Sequence, residues 1–133
     1  MKKKQKSRYS GLQYGDHIFM LYKMKVSAEA FEYIKSGSKT IEIRLNDGKR
    51  QLIKMGDAVE FHKLPDLKEK ALVTVLAKEK FSNFDSLVNS YPLQKFGDRR
   101  FNKKEDLLNS LREIYSKEEE KKYGVVAIHM KLL

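Results

Sequence analysis

Cysteine is absent from the 133 residues, which excludes disulfides, thiolate zinc sites and cysteine nucleophiles together and fits a reducing compartment. Long apolar runs are missing too. None approaches the roughly 20 residues a membrane helix needs, so no membrane partner is expected. The basic start, Met1-Lys2-Lys3-Lys4-Gln5-Lys6-Ser7-Arg8, is followed by Tyr9-Ser10-Gly11-Leu12-Gln13-Tyr14-Gly15 rather than by the apolar stretch of a signal peptide. The expected location is therefore cytoplasmic. Phosphate-binding glycine loops, nucleophile elbows and dinucleotide glycine patterns do not occur, and no segment repeats. His17, His62 and His129 fall in separate strand-like segments without metal-ligand spacing. No metal and no cofactor are expected.

What is present suffices for one packed domain. Hydrophobic residues make up 41% of the chain and charged residues 35%, a balance that gives one core under a wet surface. The expectation is a basic disordered tail over residues 1–16 and one domain over residues 17–133, monomeric. Of the formal charge of +10, five positives lie in the first eight residues, which leaves +5 for the rest. Such a tail either binds polyanions weakly or keeps the chain soluble.

Alternation from His17 to Val26 predicts a strand with Ile18, Met20, Tyr22, Met24 and Val26 on one side. Ser27 is a cap for a short helix that buries Phe31 and Ile34 and stops at Gly37. Thr40 to Leu45 reads as a second strand, followed by an Asn46-Asp47-Gly48 turn and a second turn at Met55-Gly56-Asp57. Strands are expected over Ala58 to His62 and Lys70 to Phe81, the longer one apolar on both faces. Asn83 or Asp85 starts a helical turn, Asn102 with Glu105 resembles a capping box, and Ser116 with Glu119 makes a cleaner one. A buried strand from Val125 closes the chain. About five to six short strands with interleaved short helices and no long βαβ alternation predict an α+β domain, a small, partly closed β-barrel with helices packed at its rim.

The chemistry concentrates where the first helix ends. Gly37 leaves Lys39 at the mouth of the strand, and Glu42 and Arg44 stand on one strand face about 7 Å apart. Two readings fit this spacing. The three charges form an ion-pair row on a solvated strand, or they frame a ligand, the arginine fork suiting phosphate or a carbonyl and the glutamate an exocyclic amine. Lys49, Arg50 and Lys54 after the turn, with Lys95, Arg99 and Arg100 in the later loop, form a phosphate track if both groups flank the same cleft. Phe96, Phe101 and Tyr115 are then candidates for base stacking.

Gly37-Ser38-Lys39-Thr40-Ile41-Glu42-Ile43-Arg44 matches the G-x-K-x-x-E-x-R signature of ASCH domains. The segments Gly56-Asp57-Ala58-Val59-Glu60-Phe61 and Tyr115 to Val126 also resemble that family, so that the resemblance spans roughly residues 17–133. It implies a PUA-like fold, a cleft lined by the signature, and recognition of RNA or a modified nucleotide. The signature points to Lys39, Glu42 and Arg44; with Arg50 from the basic run and Tyr115 from the aromatics, these are the candidate ligand-binding residues. Some relatives resemble small amidohydrolases of N4-acylated cytidines that use a lysine, a threonine three residues later and a more distant glutamate. Here the lysine position is Lys39, the threonine position holds Glu42, and Glu79 is the nearest candidate for the glutamate.

Three functions follow for testing. The first is an RNA- or nucleotide-binding module. The second is a small hydrolase of acylcytidine-type nucleosides or RNA, with Glu42 as general base and Lys39 stabilising an oxyanion. The third is an interaction domain with no ligand cleft.

Overall fold

Residues whose apolar side chains alternate, from Tyr22 to Val26, bury Tyr22, Met24 and Val26 and leave Lys23 and Lys25 in solvent. They belong to strand β2 (His17–Val26) of a computed structural model that describes residues 11–14, 17–97 and 101–133. Gly11–Tyr14 form β1 and pair antiparallel with the start of β2, Gly11 opposite Met20. They thus take strand structure within the span expected to be a tail. Residues 1–10, 15 and 16, the rest of that span, lie outside the described residues.

The remaining strands are β3 (Ile41–Leu45), β4 (Ala58–Lys63), β5 (Lys70–Phe81) and β6 (Val125–Leu132). They join in the order β1-β2-β4-β5-β6-β3, with β2 and β4 parallel and every other pair antiparallel. The mixed main sheet β2-β4-β5-β6-β3 is open. This corrects the expected barrel: among the described residues β3 pairs only with β6, and no ladder joins it to β2. The chain leaves β2 directly for helix α1 (Ala28–Lys35), which places Phe31 and Ile34 in the core. A side chain then bridges β3 to β2, the Arg44 Nη2 donating to the Lys25 carbonyl at 2.9 Å.

Alternation along β3 and β6 divides the interior in two. Val126, Ile128 and Met130 face a first core with Met24, Phe31, Phe61 and Val73. Val125 and Ala127 face a second, with Ile41, Ile43, Phe84, Leu87, Phe96 and Leu108. Val125 to Ile128 are therefore all buried, as a strand covered on both faces must be. By contrast β5 is covered on one face in its first half, since Leu72 and Leu76 are exposed. A register shift between Val75 and Ala77 marks a β-bulge at Leu76, which re-aims the residues beyond it.

The outer face of β3 and β6 is covered by α3 (Phe84–Asn89), a 3-10 helix (Leu93–Phe96) and α4 (Lys104–Ile114). Ser27 and Asn83 cap α1 and α3 as expected, and Ser116 with Glu119 forms a complete capping box on α5 (Lys117–Tyr123). The box expected at Asn102 and Glu105 does not form: α4 begins at Lys104 with no side-chain cap. Asn46-Asp47-Gly48 is more than a turn, because Asp47 caps a single helical turn, α2 (Gly48–Gln51). No helix among the described residues is long and apolar enough to cross a membrane.

Candidate functional site

The segment between α1 and β3 is held from three directions. The Lys39 backbone N–H donates to the Tyr33 carbonyl, the Thr40 N–H donates to the Lys95 carbonyl, and the Thr40 carbonyl accepts from the Met130 N–H, each at 2.9 Å. Gly37 makes the turn out of the helix with φ +84°. Gly97, at φ +79°, ends the 3-10 helix so close to Lys39 that a Cβ there would sit 2.4 Å from the Lys39 Cβ. The backbone of Lys39 therefore has almost no freedom.

Its side chain reaches inward. Lys39 Nζ donates to the Phe96 carbonyl at 3.2 Å and lies 3.4 Å from Glu42 Oε1, while Arg44 Nε donates to Glu42 Oε2 at 2.7 Å. The three side chains are only 11%, 8% and 15% exposed for Lys39, Glu42 and Arg44. This overturns the reading of a solvated ion-pair row. Glu42 and Arg44 stand opposite Ile128 and Val126 on the first-core face of the sheet, at the open seam between β3 and β2. Burial alone would push the Glu42 carboxyl up. The Arg44 and Lys39 charges outweigh it and hold the group below the ordinary carboxylate value. Burial likewise works against the Arg44 charge, and Glu42 more than restores it. Such a centre is poor evidence for stability, because replacing a buried ion pair by apolar groups is often neutral. A buried carboxylate and an arginine that hold each other charged beside a cavity mark a candidate site.

A cavity is there. A cleft of about 360 Å³ opens over Glu42 and Arg44, between the end of β2, the start of α1 and helix α4, with Tyr115, Phe101 and Tyr33 in its wall. Tyr115 stacks on Phe84 with ring centres 5.5 Å apart, and its burial, with Glu42 nearby, raises its phenol above the ordinary value despite Arg44. Lys39, Glu42, Arg44 and Tyr115 thus line one cleft.

Other expected residues lie elsewhere. Arg50 does not line this cleft: its Nη1 pairs with Asp47 at 3.4 Å, its Nε is buried without a partner among the described residues, and its carbonyl accepts from Lys78 Nζ at 2.9 Å. Lys49 and Lys54 are exposed and line neither major cleft. Phe96 is fully buried in the second core, so it supports the site and is not a stacking platform. Arg99 and Arg100 lie outside the described residues. No group of three metal-ligating side chains occurs among the described residues.

Sequence reasoning missed a second cluster. Beyond the bulge, Glu79 and His129 lie diagonally across β5 and β6, and Glu79 Oε1 accepts from His129 Nε2 at 2.7 Å and from the Tyr91 hydroxyl. The Tyr91 hydroxyl is also 3.2 Å from His129 Nε2, and the two rings meet edge to face at 5.1 Å. These hydrogen bonds, Tyr91 first, hold the Glu79 carboxyl below its ordinary value. Burial, then the bond to Glu79, raises the Tyr91 phenol. Tyr91 and His129 line a larger cleft of about 570 Å³ with Lys39, Thr40, Lys95 and Lys131. Lys39 is in the wall of both clefts.

Comparison with known proteins places this arrangement in a group. Residues 24–133 match the ASCH domain. The crystal structure of hypothetical protein PH0355 is 33% identical, covers 86% of this chain and all of its own, and superimposes with a TM-score of 0.76. Protein PF0455 from Pyrococcus furiosus, solved by solution NMR, is 34% identical over 86% of this chain and 98% of its own, with a TM-score of 0.68. A serine-to-alanine variant of the ASCH protein of Zymomonas mobilis, 14% identical over 84% of this chain and 67% of its own, shares the fold at a TM-score of 0.55. No curated protein matches. With the signature centre buried at the seam of an open α+β sheet and the domain match running over residues 24–133, the chain belongs to the ASCH domain family.

Proposed function

We propose that this protein binds RNA or a modified nucleotide, and that the cleft over Lys39, Glu42, Arg44 and Tyr115 receives one nucleotide. The observation that carries this reading is the largely buried Lys39-Glu42-Arg44 centre in the wall of a cleft of about 360 Å³, within the size range of small-ligand pockets, about 300–1,000 Å³. The general association of the family with RNA supports it.

The geometry supports roles that differ from the simplest sequence expectation. Glu42 is occupied at both oxygens, by Arg44 Nε and by Lys39 Nζ, so it serves to hold two cations in place before a ligand arrives. Arg44 uses Nε and Nη2 for internal bonds. Its Nη1 makes no hydrogen bond among the described residues and is the free donor for a phosphate or carbonyl oxygen. Tyr115 adds a ring to the wall. The hydrolytic reading asks Glu42 to act as a base, a task poorly matched to a carboxylate held ionised by two cations.

Fluorescence anisotropy with labelled single-stranded RNA tests the proposal. Affinity is expected to fall as salt rises, and Arg44→Ala or Lys39→Ala to weaken it about tenfold or more, as loss of a charged hydrogen bond does. Unchanged affinity in both variants removes the centre from the site. Turnover of acylcytidines or RNA that disappears in Glu42→Gln would establish the hydrolase instead.

A further inference from the structure

The larger cleft is left unused by that function, although it shares Lys39 with the smaller one. It is walled on one side by Tyr91 and His129, and on another by Lys95 and Lys131, neither of which is in an ion pair among the described residues. Behind the aromatic pair, Glu79 accepts from the Tyr91 hydroxyl and from His129 Nε2. The Tyr91 ring is further fixed edge-on by Phe81 and Phe96, with ring centres 6.1 and 6.2 Å away. Its orientation is set before any ligand enters. The floor is apolar, with Ile34, Val73 and Leu76.

Two fixed aromatic rings over an apolar floor, with exposed lysines at the rim, match the chemistry of a base and its phosphate. Nothing anionic among the described lining residues opposes a phosphate there. The position of Lys39 between the clefts matches the phosphate that joins one nucleotide to the next.

We propose that the Tyr91-His129 cleft is a second nucleotide subsite, so that the protein engages two successive nucleotides of a single strand across Lys39. This rests on the nucleotide-binding reading of the smaller cleft. Glu79 is a positioning residue here: it sets the rings of Tyr91 and His129 and does not itself line the cleft. Lys95 and Lys131 hold the outer phosphate.

Isothermal titration with the four ribonucleoside 5′-monophosphates and the four matching 5′-phosphorylated homodinucleotides tests this. For at least one base, the dinucleotide is expected to bind about tenfold or more tightly than the monophosphate, the gain of one stacked base. In His129→Ala, and in the surface double variant Lys95→Glu with Lys131→Glu, dinucleotide affinity is expected to drop to that variant's own monophosphate affinity. The double variant changes only exposed residues, so it keeps the test open if His129→Ala fails to fold. Monophosphate binding with no gain for any dinucleotide overturns the second subsite and leaves the first standing. A gain that survives in the double variant also overturns it. Absence of binding by every probe overturns both readings.

Discussion

Glu42 is the residue on which the candidate site depends, because it is the buried anion between two largely buried cations. Glu42→Gln leaves Lys39 and Arg44 without compensation and is expected to destabilise the fold by about 3 kcal/mol, as breaking a buried pair does. Thermal or urea unfolding measures this. The same interaction has a pH signature. The Glu42 carboxyl ionises more readily when folded than at its ordinary value of 4.5, so the stability it contributes is complete above about 4.5 and is lost as acid takes the pH through the lower folded value. The stability difference between the natural protein and Glu42→Gln is therefore expected to narrow below that pH. A gap that stays constant down to strong acid would show that Glu42 is not tuned by its neighbours. That Glu42 and Arg44 share a face was legible from their spacing of two. Their burial was not, because β3 looks alike in sequence whether its polar face meets solvent or the interior.

Among the elements, the 3-10 helix is the one whose role sequence least reveals. Leu93–Phe96 carries no periodicity to speak of, yet its carbonyls at Lys95 and Phe96 accept from the Thr40 N–H and from Lys39 Nζ. Gly97→Ala places a Cβ against the Lys39 backbone at a positive φ. It is expected to cost about 2 kcal/mol or more and to weaken ligand binding together with stability, read by unfolding and by anisotropy on one preparation. The opposite case is α5. Its capping box was written in Ser116 and Glu119 and is present, with Glu119 N–H donating to Ser116 Oγ at 3.1 Å. Ser116→Ala is expected to lower stability by about 1 kcal/mol without touching binding. Asn102 and Glu105 carry the same spacing and make no cap, because α4 starts later at Lys104 and is held by Leu107, Leu108 and Leu111 in the second core. Packing chose that boundary over local chemistry.

At the scale of the molecule, β6 belongs to both cores, giving Val126 and Ile128 to one and Val125 and Ala127 to the other. The cores are therefore expected to unfold together. Urea curves followed by tyrosine fluorescence and by far-ultraviolet circular dichroism should coincide. Two separated transitions would show that the helices over the outer face form an independent unit. The sheet that holds these cores is open where a partly closed barrel was expected, and the open seam is where Arg44 reaches the Lys25 carbonyl. A closed ladder between β2 and β3 would have occupied the space that the smaller cleft now takes.

Sequence by itself determined the strands and helices that carry strong alternation or clear caps, the α+β class, the absence of cysteine chemistry, and the signature that places the chain in its family. Those features are local: a period of two, a glycine stop, a serine three residues before a glutamate. Only the tertiary structure decided that the sheet stays open and that the Lys39-Glu42-Arg44 row is buried. It likewise separated Arg50 from the cleft and brought Glu79, Tyr91 and His129 together. The reason is distance along the chain. Glu79 and His129 are 50 residues apart, and their meeting depends on a bulge at Leu76 that shifts one strand by a single residue, a displacement that no pattern within either strand records.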